Sequence, residues 1–150
     1  MIRIQPEDFS VDAEVTALRR QSKRIGAIVT FIGLVRDLND DDEIRTLFLE
    51  HYPGMTEKSL TKIVGEAMQR WELIDVTVVH RVGRLQPEDQ IVLVAVASGH
   101  RKSAFAAAEF IMDYLKTRAP FWKKEETATG SRWLETRSSD IEASAEWDRN

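Results

Sequence analysis

The residues with the clearest potential for chemistry are cations near the end of the 150-residue chain. His100 and Arg101 stand directly before a run with helical periodicity, Lys116 stands near the end of that run, and Lys123 follows Pro120. The start of a helix presents free N–H groups and the positive end of a dipole, so His100 and Arg101 suit a phosphate or another anion. An amphipathic helix that merely carries a basic cap is the alternative explanation.

Two lysines suggest chemistry beyond binding. Lys116 and Lys123 are separated by Pro120, and if the strand after the proline folds back, both amines face one pocket. Close and partly desolvated amines lower each other's pKa, so one acts as a base or nucleophile while the other remains charged. Arg36, at the end of a predicted strand, adds a third cation, although a solvated arginine explains it equally well. Such a set suits an anionic substrate and the stabilisation of developing negative charge.

The composition excludes several kinds of chemistry. The chain contains no cysteine, which excludes a disulfide framework, a thiolate metal site and a cysteine nucleophile, so any sulfur must be brought by another molecule. The histidines lack short-range ligand spacing, and we expect no metal and no cofactor. We expect His51 and His80 to lie in strands with their hydrogen bonds satisfied.

The overall charge and hydropathy limit the possible partners. With 21 Lys and Arg against 25 Asp and Glu, the net charge of −4 argues against a general nucleic-acid or membrane-surface binder. No apolar run reaches membrane-spanning length, and the first residues do not resemble a signal peptide, so we expect a cytoplasmic protein. The length predicts a single domain over residues 1–150, in which the polar segment after residue 138 forms a mobile tail or a short docking helix.

Hydrophobic periodicity predicts the helices and strands that hold these residues in place. The predicted strands span residues 2–4, 27–35, 44–52, 76–82, 91–97, 121–126 and 131–136. The predicted helices follow Ser10, span residues 56–71, and run from about His100 to the stop at Pro120. A mobile acidic loop is expected over residues 38–43, because consecutive acids repel one another.

Three of these elements carry more specific expectations. Strand 27–35 is expected to be buried on both faces or packed in an interface, with a bulge or close backbone approach at Gly33. Strand 91–97 is expected at the centre of the sheet, because it is apolar throughout. The last helix is expected to bury one stripe of side chains, formed by Ala104, Phe105, Ala108, Ile111, Met112 and Leu115.

Five segments of the chain closely resemble the family of molybdopterin synthase large, catalytic subunits. They are FIGLVR at 31–36, LEHYPGM at 49–55, HRVG at 80–83, SGHR at 98–101 and LKTRAPFWKKE at 115–125. The match follows the family's order through nearly the whole chain, and the last segment is the most specific. The resemblance implies an α+β fold of the α/β-hammerhead type with an additional antiparallel β subdomain.

The same resemblance implies a sulfurtransferase that converts cyclic pyranopterin monophosphate to molybdopterin. Two sulfurs would be taken in succession from the C-terminal thiocarboxylate of a small ubiquitin-like carrier subunit. The resemblance also implies a homodimer of this chain with one carrier at each end, which makes a heterotetramer. This agrees with the absence of cysteine, since the sulfur arrives on the partner.

Residue roles follow from the resemblance position by position. Lys116 is expected to contact the terminal carboxyl group of the carrier and to serve as the main catalytic amine. Lys123 is expected to bind substrate or to assist proton transfer. Arg36, His100 and Arg101 are expected to hold the phosphate and the pterin.

Three further residues complete the expected site. Phe31 and Met112 are expected to line the channel for the carrier tail, and Arg137 is expected to bind substrate across the dimer in the neighbour's site. The competing interpretation comes from another class: a non-catalytic phosphate- or RNA-binding α+β module, in which the same cations only hold phosphate.

Overall fold

The computed structural model describes residues 1–39, 42–127, 130–134 and 136–149, and all structural statements concern these residues. Their strands are β1 (Ile2–Gln5), β2 (Ala27–Leu34), β3 (Leu38–Asn39), β4 (Asp42–His51), β5 (Asp75–Arg81), β6 (Gly83–Leu85), β7 (Gln90–Ser98), β8 (Phe121–Thr127) and β9 (Gly130–Leu134). The helices are α1 (Val11–Arg19), α2 (Met55–Arg70), α3 (Arg101–Arg118) and α4 (Ser138–Asp148). None of these helices combines the length and apolar character needed to cross a membrane.

The first sheet forms the floor of the main hydrophobic core. Its strand order is β1-β5-β7-β2, with β1 parallel to β5 and the other pairs antiparallel. β7 lies between two neighbours and is buried from Val92 to Ser98, which confirms its predicted central position. α2 and α3 pack their apolar faces against this sheet, and this packing holds both ends of α3 in place.

β2 occupies the edge of this sheet. Of the two alternatives predicted for it, burial on both faces is wrong for the single chain, and packing in an interface stays a prediction. Phe31, Ile32 and Leu34 are 41%, 39% and 52% exposed, because β2 has a neighbour on one side only. The predicted irregularity at Gly33 is confirmed. The register with β7 shifts between Gly33 and Leu34, and a Cβ on Gly33 would lie 2.9 Å from Cγ1 of Val92.

The second sheet is entirely antiparallel, as the expected additional subdomain requires. β4 pairs with β3, β6 and β8, and β9 extends the sheet beyond β8. The acidic segment differs from the predicted loop, because Leu38 pairs with Glu43 and Asn39 pairs with Asp42. The residues at both ends of this segment are therefore paired as strands, while residues 40 and 41 lie outside the described residues.

The buried face of α3 is rotated relative to the predicted stripe. Phe105 is 62% exposed, so its assignment to the core is wrong, whereas Phe110 and Tyr114 are buried. The cause is α4, which packs against the side of α3 that carries Phe110 and Tyr114. The other predicted positions are buried, namely Ala104, Ala108, Ile111, Met112 and Leu115.

The segment after residue 138 is the docking helix, which was one of the two alternatives predicted for it. Trp147 of α4 packs edge-on against Trp71 and Phe110, with ring centroids 5.6 Å and 5.5 Å apart. Nε1 of Trp147 also donates a hydrogen bond of 2.7 Å to Oδ2 of Asp113. One large aromatic side chain with a satisfied polar atom thus anchors an otherwise polar helix.

Candidate functional site

A cavity of about 630 Å³ opens where the end of α3 meets β2, β8 and the start of α4. Cations reach it from separate parts of the chain: Lys116 in the last turn of α3, Lys123 on β8, Arg36 just after β2 and Arg137 just before α4. The structure therefore brings together two amines and two guanidinium groups, as expected for a pocket that receives anions.

The turn between α3 and β8 places Lys116 and Lys123 in the same cavity. The helix stops because Ala119 is extended, with ψ of 128°, as expected for a residue before a proline. The hydroxyl of Thr56 donates a 3.0 Å hydrogen bond to the carbonyl of Pro120 and accepts one of 2.9 Å from the Tyr52 amide. Because Thr56 is fully buried, this bond fixes the turn, and the predicted return of the strand toward the helix is confirmed.

The environment of Lys123 changes its protonation. Burial lowers the pKa of its amine to about 7, and the positive charge of Lys116 and a hydrogen bond between the two amines add to the shift. Arg137 acts in the same direction, while the carboxylate of Asp140 opposes it. Near pH 7 the Lys123 amine is therefore partly neutral, which a general base or nucleophile requires.

His80 also lines the cavity, a role that the sequence reasoning missed. Its ring is 3% exposed, its Nδ1 lies 2.7 Å from the carbonyl oxygen of Arg81, and it stacks on Phe121 with centroids 3.8 Å apart. Burial lowers its pKa to about 3, and the nearby charges of Lys123 and Lys116 contribute. The prediction of a buried, hydrogen-bonded histidine is confirmed, but nothing in the local sequence indicated that a cavity would form beside it.

Two acidic residues that the sequence reasoning did not select also reach the cavity. Glu125 is 2% exposed and accepts a hydrogen bond of 3.2 Å from Nη2 of Arg132. Asp140 lies in the first turn of α4. A signal for Glu125 was present, since alternation along β8 places it on the same face as Lys123. Asp140 had no comparable local signal, because its position depends on how α4 docks.

The mouth of the cavity is apolar and is formed by the exposed edge of β2, with Phe31, Ile32 and Leu34. Phe31 lines the cavity at this edge, and its role in a tail channel stays a prediction. Met112 does not line this cavity in the described structure, and its assignment to the channel stays a prediction. It is 8% exposed and belongs to the hydrophobic core, because its position on α3 turns it toward the sheet.

His100 and Arg101 lie at the opposite end of α3, at the helix start as predicted. They line a second cavity of about 580 Å³ together with Gly26, Gly99, Lys102 and Phe105. At 1.5 Å per residue, α3 holds His100 about 24 Å away from Lys116. The cavity at Lys116 therefore contains Arg36 and Arg137 but not His100 or Arg101, whose expected contacts with the substrate stay a prediction.

A close contact between two backbone segments supports the second cavity. A Cβ on Gly26 would lie 2.4 Å from the carbonyl oxygen of Gly99, so only glycine fits there. The Gly26 amide donates a 2.9 Å hydrogen bond to the Ser98 carbonyl, and Oγ of Ser98 accepts one of 3.2 Å from the His100 amide. Gly26, which directly precedes β2, therefore helps to fix the turn that carries His100 and Arg101.

Within the described residues, no group of three or more His, Asp or Glu side chains could hold a metal ion. The charged groups in the first cavity are mainly amines and guanidinium groups, which bind anions. The charges of this cavity therefore suit an anionic ligand.

Comparison with known proteins gives a consistent result. The family described as "MoaE protein" matches residues 4–118. The molybdopterin synthase catalytic subunit of Ralstonia nicotianae is 63% identical over 146 residues, which cover 97% of this chain and 83% of the relative. The corresponding subunit of Escherichia coli is 56% identical over 146 residues, 97% of each chain.

Solved structures show the same similarity in three dimensions. The molybdopterin biosynthesis MoaE protein from Burkholderia ambifaria superposes with a TM-score of 0.85 at 57% identity, covering 99% of this chain and 97% of that one.

Proposed function

The chain belongs to the MoaE protein family, and we propose that the cavity around Lys116 and Lys123 is the active site of a molybdopterin synthase. The observation that carries this proposal is the Lys123 amine, whose pKa is lowered to about 7 beside a second amine in a cavity that contains Arg36 and Arg137. Proton transfer to an anionic substrate requires such an arrangement.

The substrate is cyclic pyranopterin monophosphate, and the sulfur donor is a small ubiquitin-like carrier subunit that ends in a thiocarboxylate. Phosphate and thiocarboxylate are both anionic, which suits the cations of the cavity. Phe31, Ile32 and Leu34 form an apolar entrance through which the extended tail of the carrier passes. The chain has no cysteine, so the sulfur comes from the carrier rather than from this protein.

The same bonds form and break in each of the two sulfur transfers. The thiocarboxylate sulfur forms a bond to a carbon of the pterin while the carbon–oxygen bond at that carbon breaks, and the oxygen leaves on the opened phosphate ester or as water. Water then cleaves the bond between the sulfur and the carrier's acyl carbon. The sulfur stays on the pterin, the carrier leaves as a carboxylate, and the attacking water gives up a proton. Lys123 in its neutral form accepts this proton, while Lys116 stabilises the negative charge on the acyl oxygen. Two rounds produce the dithiolene of molybdopterin.

The distance between the two cavities implies a second copy of the chain. His100 and Arg101 cannot reach the substrate at Lys116 of their own chain, so they act in the site of the partner in a homodimer. With one carrier for each site, the assembly is a heterotetramer, and we place its reaction in the cytoplasm.

The direct test is reconstitution of dithiolene formation from the pterin phosphate and a thiocarboxylated carrier. We expect Lys116→Ala to remain folded and to bind the carrier, but to lose dithiolene formation by at least about 100-fold. The matched control is Lys124→Ala, because this neighbouring lysine lies over the ring of Trp133, 5.7 Å from its centroid, and does not line the cavity. Normal turnover by Lys116→Ala would refute the proposed role.

The same reagents separate this function from a phosphate- or RNA-binding module. A binding module holds phosphate but neither binds the carrier nor makes dithiolene. Failure to bind any ubiquitin-like protein that ends in Gly-Gly would favour that alternative.

A further inference from the structure

The turn between Lys116 and Lys123 is tied to a helix that contributes nothing to the cavity. Thr56, in the first turn of α2, donates its hydroxyl hydrogen to the carbonyl oxygen of Pro120 at 3.0 Å. The bond joins residues 64 positions apart in the sequence. Thr56 does not line the cavity, so any effect on the reaction must pass through the turn that it contacts.

The surroundings of the Thr56 hydroxyl leave it one direction for its hydrogen. Its oxygen accepts a 2.9 Å hydrogen bond from the Tyr52 amide, and an amide N–H only donates. The single hydroxyl hydrogen is therefore directed to the Pro120 carbonyl. Because the side chain is fully buried, loss of the hydroxyl would leave a buried donor and a buried acceptor without this partner.

The start of α2 is a rigid support for this bond. Gly54 has a φ of 87°, which suits glycine, and its amide donates a 2.8 Å hydrogen bond to Oε2 of Glu57. One turn further on, Leu60 and Ile63 are fully buried in the main core. Thr56 therefore holds the Pro120 carbonyl at a fixed position relative to this core.

The bend at Pro120 determines how far apart the two amines lie. Lys116 precedes Pro120 by four positions on α3, and Lys123 follows it by three on β8. A hydrogen bond joins the two amines. β8 begins with Phe121, which stacks on His80 with ring centroids 3.8 Å apart. The bond from Thr56 thus acts at the bend between two packed elements, where a small displacement changes the separation of the amines.

We propose that Thr56 is a positioning residue for the two lysines: its hydrogen bond to the Pro120 carbonyl sets the turn that keeps the Lys123 amine beside Lys116. This inference deepens the proposed function and rests on it. Without the hydroxyl, the turn shifts until the Pro120 carbonyl finds water or another donor. The amines then separate, and Lys123 becomes more hydrated.

The charges around Lys123 come from elements other than α2. The charged and titratable groups that line the cavity with it are Arg36 after β2, His80 on β5, Lys116 on α3, Glu125 on β8, and Arg137 and Asp140 at the start of α4. His51, on β4, lies 3.6 Å from Glu57 instead. Thr56 itself is uncharged, so its removal can change the Lys123 titration only by moving other groups.

The main test does not need substrate. We would titrate Lys123 by carbon-13 NMR of labelled lysine side chains in the full chain, with Lys123→Met to identify its signal. Thr56→Val removes the hydroxyl at nearly constant shape, and Thr56→Ser keeps it. Thr61→Val is the matched control on the same helix, because the Thr61 hydroxyl bonds only within α2, to the Glu57 carbonyl at 2.9 Å. Ile63→Ala is the control for stability, since it removes buried packing of α2 without contacting the turn.

We expect Thr56→Val to move the Lys123 titration to higher pH by about one unit, because burial and the charge of Lys116 both act less strongly on it. In the reconstituted reaction, kcat should fall about 10-fold, and the acid limb of the pH profile should move with the titration. Thr56→Ser, Thr61→Val and Ile63→Ala should leave the titration in place. An unchanged titration in Thr56→Val would overturn the inference, as would an equal shift in Ile63→Ala.

A second pair of measurements covers the case in which Thr56→Val does not fold. Thr56→Ala removes the same hydroxyl without overpacking, and we expect the same direction of shift. In the unmodified chain, the Thr56 hydroxyl proton should give its own NMR signal and exchange slowly with water. Rapid exchange of that proton, or an unchanged titration in Thr56→Ala, would refute the positioning role. Failure of the unmodified chain to make dithiolene would instead refute the proposed function and would leave the titration result standing.

Discussion

Nε1 of Trp147 donates a hydrogen bond to Oδ2 of Asp113, and this bond joins the last turn of α4 to the middle of α3. The other end of α4 carries Arg137 and Asp140 at the rim of the cavity. A contact at the last turn of α4 therefore helps to position two charged groups that stand at the first turn of that helix. This relationship makes the docking of α4 testable through activity.

Trp147→Ala should release α4 and move Arg137 and Asp140 away from Lys123. We expect the free energy of unfolding to fall by about 2–3 kcal/mol, because aromatic packing and a buried hydrogen bond are lost. The kcat/KM for the pterin should fall about 10-fold through the displaced arginine. Thermal unfolding and steady-state kinetics measure the two effects. Ile141→Ala is the control, since this α4 side chain is 53% exposed, and equal effects of both variants would contradict the anchoring role.

The pH dependence of activity should follow Lys123. Its pKa of about 7 means that activity falls below pH 7, where the amine is protonated and cannot accept a proton. Lys116→Met removes a neighbouring positive charge, so the Lys123 titration should move to higher pH. Carbon-13 NMR of the lysine side chains measures this shift. A Lys123 titration that stays in place would show that Lys116 does not act on it.

Lys123→Met should stabilise the fold while it abolishes activity. The pKa of Lys123 is lowered from 10.5 in the unfolded chain to about 7 in the folded one, so the unfolded state binds more protons between these values. Stability of the unmodified chain therefore rises with pH from about 7 to about 10, and the full penalty for the buried charge applies below pH 7. We expect Lys123→Met to add about 1–3 kcal/mol at pH 7 and to flatten this rise. Denaturant unfolding at several pH values tests both points, and a less stable variant would contradict the assigned burial.

Two inactive variants should restore activity when they are mixed. If Arg101 acts in the partner's site, a heterodimer of Lys116→Ala and Arg101→Ala contains one site with both residues intact. Unfolding and refolding an equal mixture should recover about one quarter of the unmodified activity, since half of the dimers are mixed and each has one working site. If both residues served the same chain's site, the mixture would stay inactive.

Much of the fold follows from local patterns. Alternation and helical spacing predicted the strands of both sheets except the short β3 and β6, and β7 lies at the centre as its apolar run indicated. The predictions that failed concern surfaces whose burial depends on residues distant in the sequence. β2 is an edge strand because no strand of the described residues pairs with its outer side, and Phe105 is exposed because α4 covers a different side of α3.

Only part of the candidate site could be predicted, because its geometry also depends on how distant segments pack. Lys116 and Lys123 could be paired from the sequence because only a proline turn separates them. His100 and Arg101 stand on the same helix as Lys116, yet the rigid length of that helix holds them at its opposite end. Met112 is one helical turn from Lys116 and still faces the core, since small differences in angle around a helix decide burial.

The sequence by itself determined the helix that ends at Pro120, the pair of lysines around that proline, and the absence of any thiol, because these properties depend on residue types and short spacings. Only the tertiary structure decided that Lys123 is the amine with the lowered pKa, that His80 borders it, and that His100 lies in a separate cavity. The physical reason is that desolvation and charge–charge distance depend on which distant segments pack together. Residues on β5, β8 and α4 create this environment jointly, and no local stretch of sequence contains it.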